Sequence, residues 1–175
     1  MRKLSNQELK RLSSEEYKNA TKNPVTLLLD DVRSAYNVGA AFRTADAFLA
    51  EKICLCGISP LPRHKDIRKT ALGAEQNVEW RYYAKAIQAI EDYKSRNYTI
   101  IGVEQVQGSF SLDQFQVVSD KKYLLIFGNE IKGVDQKLIK LCDQCIEIRQ
   151  FGTKHSLNIS VSIGIVLWHF LSRSL

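Results

Sequence analysis

Apolar residues along this chain gather in short dense runs separated by longer stretches of mixed polarity. Residues 25–30, 53–57, 78–82, 99–103, 123–127 and 145–148 have the length and composition of buried strands. Between them the apolar positions follow helical spacing. This holds through Ala40, Ala41, Phe42, Ala45, Ala47 and Phe48, over 67–72 ahead of Gly73, over 84–95, and over 135–141. Residues 31–36 read as a loop, as does the proline-rich stretch 60–65, while 105–121 are polar and weakly patterned. Strands alternating with helices predict an α/β domain built on a mostly parallel sheet flanked by helices.

The most apolar segment lies near the end. Between His155 and Ser172 there is no Asp, Glu, Lys or Arg, so the stretch is either buried all round or embedded in lipid. Asn158, Ser160, Ser162, Gly164 and His169 interrupt it too often for a lipid span, which leaves a buried element. Its local pattern points two ways. Leu157, Ile159, Val161, Ile163 and Ile165 alternate with Asn158, Ser160, Ser162 and Gly164, the period of a strand. A length of roughly fifteen residues is ordinary for a helix and long for a strand, and a helix is expected. Its polar start then falls at a helix N-terminus, where unpaired N–H groups face a ligand.

At the other end, Ser5-Asn6-Gln7-Glu8 and Ser13-Ser14-Glu15-Glu16 both match the capping-box pattern and predict two short helices. Leu4, Leu9, Leu12 and Tyr17 are too few for a core of their own. Residues 1–22 therefore form an arm that leans on the domain or on a partner, and residues 23–175 form the domain itself.

Composition narrows the class. With 175 residues, 45% hydrophobic and 25% charged, the chain has the size and balance of one globular domain. It has no N-terminal apolar leader, so a cytoplasmic protein without a membrane anchor is expected. Cys54, Cys56, Cys142 and Cys145 come as Cys-Leu-Cys and Cys-Asp-Gln-Cys; the first pair lacks the spacer of a zinc knuckle, so reduced core thiols and no metal are expected. The net charge of +6 is localised: residues 1–22 and residues 60–69 each carry +3, and the rest of the chain is neutral. Lys10 and Arg11 in the arm, with Arg63, His64, Lys65, Arg68 and Lys69 in the loop, are candidate phosphate contacts of an RNA-binding surface.

Parallel sheets bind ligands in the loops at the carboxyl ends of their strands. Three such loops carry chemistry here: Asn37 to Arg43, Gly128-Asn129-Glu130 to Gly133, and Gly152 through Ser156-Leu157-Asn158. The second is no P-loop, since no Gly-Lys-Ser/Thr follows, and no Gly-x-Gly-x-x-Gly fingerprint of a dinucleotide site occurs.

In this order, the three loops resemble the three motifs of the SpoU-type (TrmH-like) RNA ribose 2′-O-methyltransferases of the SPOUT superfamily. Asn37-Val38-Gly39-Ala40 with Arg43-Thr44-Ala45 is similar to the first motif. Leu125-Ile126-Phe127-Gly128-Asn129-Glu130 with Gly133 is similar to the second. Ile148, Gly152 and Ser156-Leu157-Asn158-Ile159-Ser160-Val161 are similar to the third. The likeness covers about residues 25–172; Arg149 and Gln150 depart from it, where the family commonly has Pro and Met.

The resemblance implies a SPOUT fold whose C-terminal part is threaded into a deep trefoil knot, an exception to the rule that chains are unknotted. It implies S-adenosylmethionine as cofactor, held by Glu104, Gly128, Ile148, Gln150, Gly152 and Leu157, and a homodimer with the C-terminal helix in the interface. The reaction implied is methyl transfer to a ribose 2′-hydroxyl of guanosine type. The short basic arm makes tRNA the expected substrate, with rRNA or a non-catalytic RNA-binding role as alternatives. Arg43 is placed at the 2′-oxygen; a guanidinium keeps its protons in proteins, so its part is electrostatic. Asn37 orients that guanidinium, Ser156 and Asn158 fix nucleotide and cofactor, and Glu130 holds the polar network.

Overall fold

In the computed structural model, which describes residues 1–5 and 8–172, all the paired strands run parallel. The strands are β1 (Asn23–Asp30), β2 (Ala50–Cys56), β3 (Trp80–Tyr83), β4 (Tyr98–Val103), β5 (Phe110–Ser111), β6 (Lys122–Phe127) and β7 (Gln144–Glu147), in the order β3-β2-β1-β6-β4-β7-β5. The helices are α1 (Ser14–Asn19), α2 (Ala35–Ala47), α3 (Lys65–Ala71), α4 (Ala74–Asn77), α5 (Ala86–Ser95), α6 (Gln136–Ile139) and α7 (Ile159–Leu171).

Alternate residues of each central strand enter one of two cores. Leu27, Leu29, Ile53, Leu55, Leu125 and Phe127 meet Phe42, Ile67, Val166 and Phe170 from α2, α3 and α7. Leu28, Cys54, Cys56, Leu124 and Ile126 meet Ala89, Ile90, Tyr93 and Leu138 from α5 and α6. Burial on both faces is why the strands read as unbroken apolar runs.

Several bounds differ from the sequence reading, each for a local reason. Helix α2 begins at Ala35 because the Ser34 hydroxyl accepts from the Asn37 N–H, which puts Asn37 inside the first turn. Helix α3 begins at Lys65, capped by His64 Nδ1 accepting from Asp66 N–H. Helix α4 and strand β5, of four and two residues, are too short to show a period. The helix expected at residues 5–8 rests on Asn6 and Gln7, which lie outside the described residues; Glu8 does accept from the Ser5 N–H at 2.8 Å. The second capping box is formed as expected, Ser13 with Glu16.

The arm leans on its own domain. Tyr17 is buried, and the Ser14 hydroxyl donates to Asn77 Oδ1 of α4 at 2.6 Å. Helix α3 is held tightly to α2, because a Cβ at Gly39 would stand 1.9 Å from Thr70 Oγ1 and 2.6 Å from the Ile67 carbonyl oxygen. The C-terminal segment is a helix, against its local alternation, but it is not buried all round. Ile163, Val166, Leu167 and Phe170 enter the core, while Val161, Ile165 and Trp168 are exposed. Apolar residues on both sides of a helix produce the alternation, and the chain itself covers only one side. No helix among the described residues is long and apolar enough to cross a membrane.

One carboxylate works against the fold. Burial, and then the charges of Asp31 and Asp135, push the Asp30 carboxyl up to about 6. Because the folded value is raised, the ionised form is the disfavoured one, and stability rises as the pH falls through that value. Asp30→Asn is expected to raise the urea midpoint well above pH 6 and to lose that gain as the pH approaches the ordinary aspartate range. A gain independent of pH would show that charge burial is not its source.

Candidate active site

Strands β1, β6, β4 and β7 lie side by side in the sheet, so the loops at their carboxyl ends converge although they are far apart in sequence. The loops after β4, β6 and β7, with the start of α7, surround a cavity of about 670 Å³, and the loop after β1 meets its rim through Glu130. One wall is the loop from Gly128 to Val134. Asn129 and Gly133 exchange two backbone hydrogen bonds of 3.0 and 2.8 Å, and Asn129 Oδ1 accepts from the N–H groups of Ile131 and Lys132. Its Nδ2 donates to the Asp31 carbonyl at 2.7 Å, tying this loop to the end of β1. A Cβ at Gly128 would lie 2.1 Å from the Gly133 carbonyl carbon, so only glycine permits the closure. Glu104 braces the loop from β4: its carboxylate accepts from the N–H groups of Val134 and Gln105, both at 2.9 Å.

Glu130 reaches from this loop to the start of α2. Its oxygens accept from the Arg33 N–H at 3.0 Å, the Ser34 N–H at 3.1 Å and Asn37 Nδ2 at 3.1 Å. Burial pushes its carboxyl up, but the donors (Arg33, its own N–H, Ser34 and Asn37) outweigh that and hold it below the usual carboxylate range. Asn37 Oδ1 accepts in turn from Asn158 Nδ2 at 3.3 Å, and Asn158 Oδ1 caps α7 by accepting from the Ser160 N–H at 2.8 Å. The start of α7 is thus closed by its own capping residue. Gln105 Nε2 donates to the His155 carbonyl at 2.9 Å and draws the segment before α7 over the cavity.

Of the residues singled out from sequence, Glu104, Gly128, Glu130, Ile148, Gln150, Ser156, Leu157 and Asn158 line this cavity. Asn37 joins its rim through Glu130 and Asn158. Gly152 does not line it: no atom lies within 4 Å of a Cβ built there, and its φ is not positive. Arg43 is exposed and outside the lining. Six residues beyond Asn37, it stands about 9 Å further along α2 and roughly 120° around it. The Asn37 amide therefore engages Glu130 and Asn158, and not the Arg43 guanidinium as expected. Lys10, Arg11, Arg63, His64, Lys65, Arg68 and Lys69 are all exposed. Ser34, Asn129 and Gln105 were not given roles from sequence. Asn129 was open to discovery, since an asparagine after glycine often closes a turn on its own backbone; Gln105 left no local signal.

The sequence matches the model of the SpoU rRNA Methylase family over residues 24–168. The chain belongs to that family. Among relatives, it is 32% identical over 142 residues to a tRNA (guanosine(18)-2'-O)-methyltransferase of Mus musculus, covering 79% of this chain and 9% of that protein. It is 26% identical to the tRNA (guanosine(18)-2'-O)-methyltransferase of Borreliella burgdorferi, covering 94% of this chain and 73% of the relative. Among solved structures, an AdoMet-bound rRNA methyltransferase from Sinorhizobium meliloti superposes with a TM-score of 0.82 at 24% identity, covering 91% of this chain and 60% of that one. This SpoU-family chain thus has the fold of its relatives but spans less than two thirds of the length of the mouse and Sinorhizobium proteins.

The Glu130 contacts make a pH-dependent prediction. Glu130→Gln turns an NH2 toward one of three donors, at a cost of about 1 kcal/mol for a partly exposed group. Since the folded carboxyl is lowered, the native contribution is present above its unfolded value and lost as the pH falls through the folded one. The gap in urea midpoint between wild type and Glu130→Gln is expected to be widest near neutral pH and to close in acid. A gap that survives acidification would mean the carboxylate charge is not what matters.

Proposed function

We propose that the chain is an S-adenosylmethionine-dependent RNA methyltransferase acting on a ribose 2′-hydroxyl, in tRNA before rRNA. The observation that carries the reading is the Glu130–Asn37–Asn158 junction at the rim of the cavity. The cavity has the volume of a cofactor pocket. Val103, Ile148 and Leu157 give it apolar surface for a flat base, and Gly128 keeps one wall pure backbone. These residues fit the cofactor that the Sinorhizobium structure carries. When bound, S-adenosylmethionine supplies a methyl on a positively charged sulfur; the chain supplies position and charge. Ser156 and Asn158 hold the nucleotide beside it, with Asn158 oriented by Asn37 and Asn37 by Glu130.

A ribose hydroxyl attacks poorly until its developing negative charge is met. Arg43 takes that part, and it does so in a homodimer. Helices α2 and α7 run side by side, joined near their starts by Asn37 and Asn158 and at their ends by Phe48 and Trp168, whose rings are 6.2 Å apart. Their outer side carries Val161, Ile165 and Trp168, the last 60% exposed, with Arg43 on the same layer. An uncharged apolar stripe of this kind suits a second copy of the chain, which brings its own cavity to Arg43. The knot belongs to the same reading, with residues 149–171 threaded so that Asn158 meets Asn37, 121 positions earlier. So do a cytoplasmic setting and a tRNA substrate; a match covering 94% of the chain reaches into the basic arm.

Arg43→Ala is expected to lower single-turnover methylation of tRNA by about 10²–10³ while leaving RNA and cofactor affinities within a few fold. Mixing Arg43→Ala with Gly128→Val subunits, each inactive, is expected to restore part of the rate, because one site of the mixed dimer is then intact. Rates that recover at saturating RNA would make Arg43 a phosphate clamp, and no rescue on mixing would place it in its own subunit's site. Separately, Trp168→Asp is expected to shift the protein from dimer to monomer in sedimentation; an unchanged dimer would put the interface elsewhere.

A further inference from the structure

We propose that the sheet edge at β3 is a stacking surface for an unpaired base of the RNA, with Trp80 and Tyr82 as the platform and Arg63, Lys65, Arg68 and Lys69, along α3 and the turn before it, holding the flanking phosphates. The inference rests on the RNA reading above and extends it to residues outside the three motifs. β3 is an edge strand of the sheet. Trp80 and Tyr82 lie in register with Ile53 and Leu55, whose side chains enter the core beneath α2 and α3. Both aromatic residues therefore stand on the layer of α3, the helix that carries Lys65, Arg68 and Lys69.

Neighbouring side chains of the same strand behave differently. Arg81 and Tyr83 point to the opposite layer and are spoken for: Tyr83 donates to Asp92 at 2.6 Å, and the Arg81 guanidinium sits 4.9 Å over the Tyr83 ring. Trp80 and Tyr82 are 40% and 45% exposed, and among the described residues neither ring has an aromatic or cationic partner. Tyr82 is nonetheless held in place, its hydroxyl donating to the Gly57 carbonyl at 3.1 Å. Gly57 opens the loop that leads to Arg63, so the ring and the basic turn share one support.

Charge decides the occupant. Residues 60–69 carry +3 with Asp66, the one acid among them, already counted; its carboxylate lies 3.9 Å from His64 Nδ1 at the head of α3. Glu79, next to Trp80, is paired with Lys52 at 3.0 Å, a residue that alternates with Ile53 and so belongs to the opposite layer. Two open aromatic faces on the layer of cations that have no ion pair among the described residues match a single-stranded nucleotide, whose base stacks and whose phosphates pair with the cations. Such stacking tolerates any base, so the surface adds affinity for unpaired RNA and no sequence preference.

The test uses the full-length protein, unfractionated tRNA and a fully paired RNA duplex as probes. Trp80→Ala with Tyr82→Ala is expected to weaken tRNA binding about ten- to hundredfold, to leave duplex binding and its salt slope unchanged, and to leave S-adenosylmethionine affinity intact in calorimetry. Trp80→Phe is expected to retain most of the binding. Neutralising Arg63, Lys65, Arg68 and Lys69 flattens the salt slope instead. The chain has two tryptophans, so in Trp168→Phe protein the emission reports Trp80 alone, and saturating tRNA is expected to quench it; this needs no change at the surface itself. Unquenched emission, or full tRNA affinity in the double alanine variant, overturns the proposal, as does a change of oligomeric state on substituting Trp80. Wild-type protein that binds neither probe would instead remove the RNA reading on which it stands.

Discussion

The side-chain amide of Asn37 has one donating and one accepting end, and both are taken: Glu130 accepts from the first and Asn158 donates to the second. The rest of the rim follows from that assignment. Three donors converge on Glu130, which suits an ionised carboxylate, an acceptor with no proton to place. Asn158, its Nδ2 turned to Asn37, has only its oxygen left to cap α7. The start of α2, the loop after β6 and the start of α7 are consequently tied to one another. A change at any member leaves a neighbour without its partner or facing a group of its own kind, which is why such a network either holds completely or fails at several points together.

Backbone geometry sets where that network can form. Gly128 permits a closure in which the loop after β6 touches itself, and Glu104 clamps it from the neighbouring strand. The strand order places β6 between β1 and β4, with β7 beyond, and so brings residues 121 positions apart into hydrogen-bond contact. Gly39 has the corresponding role outside the cavity: it lets α3 lie against α2 and fixes the basic helix relative to the rim.

Two surfaces are left over once these demands are met, and their chemistry differs. Among the described residues the outer side of α2 and α7 exposes Val161, Ile165 and Trp168, with Arg43 at its margin, a composition suited to burial against another copy of the same surface. The edge at β3 sets aromatic rings on the layer of cations that form no ion pair among the described residues, a composition suited to a polyanion with flat bases. Both surfaces lie on the side of the sheet covered by α2, α3 and α7, one on the outer side of α2 and α7 and the other at the β3 edge.

The strands, the major helices and the parallel sheet were readable in the sequence, because central strands buried on both sides must be continuously apolar and helices must repeat near every third and fourth residue. The loops that carry Glu130, Ser156 and Asn158 were readable the same way, as polar stretches at the borders of such runs, while the roles of these residues came only from the resemblance. Short elements such as α4 and β5 left no period to read, and the alternation in residues 157–165 mimicked a strand because α7 carries apolar residues on two sides. The partners of Asn37, the brace from Glu104, the tether from Gln105 and the distance from Arg43 to the cavity were decided by tertiary structure alone. Each depends on which loops the strand order sets side by side, and hydrogen bonds between residues a hundred positions apart leave no mark on the local pattern of either partner.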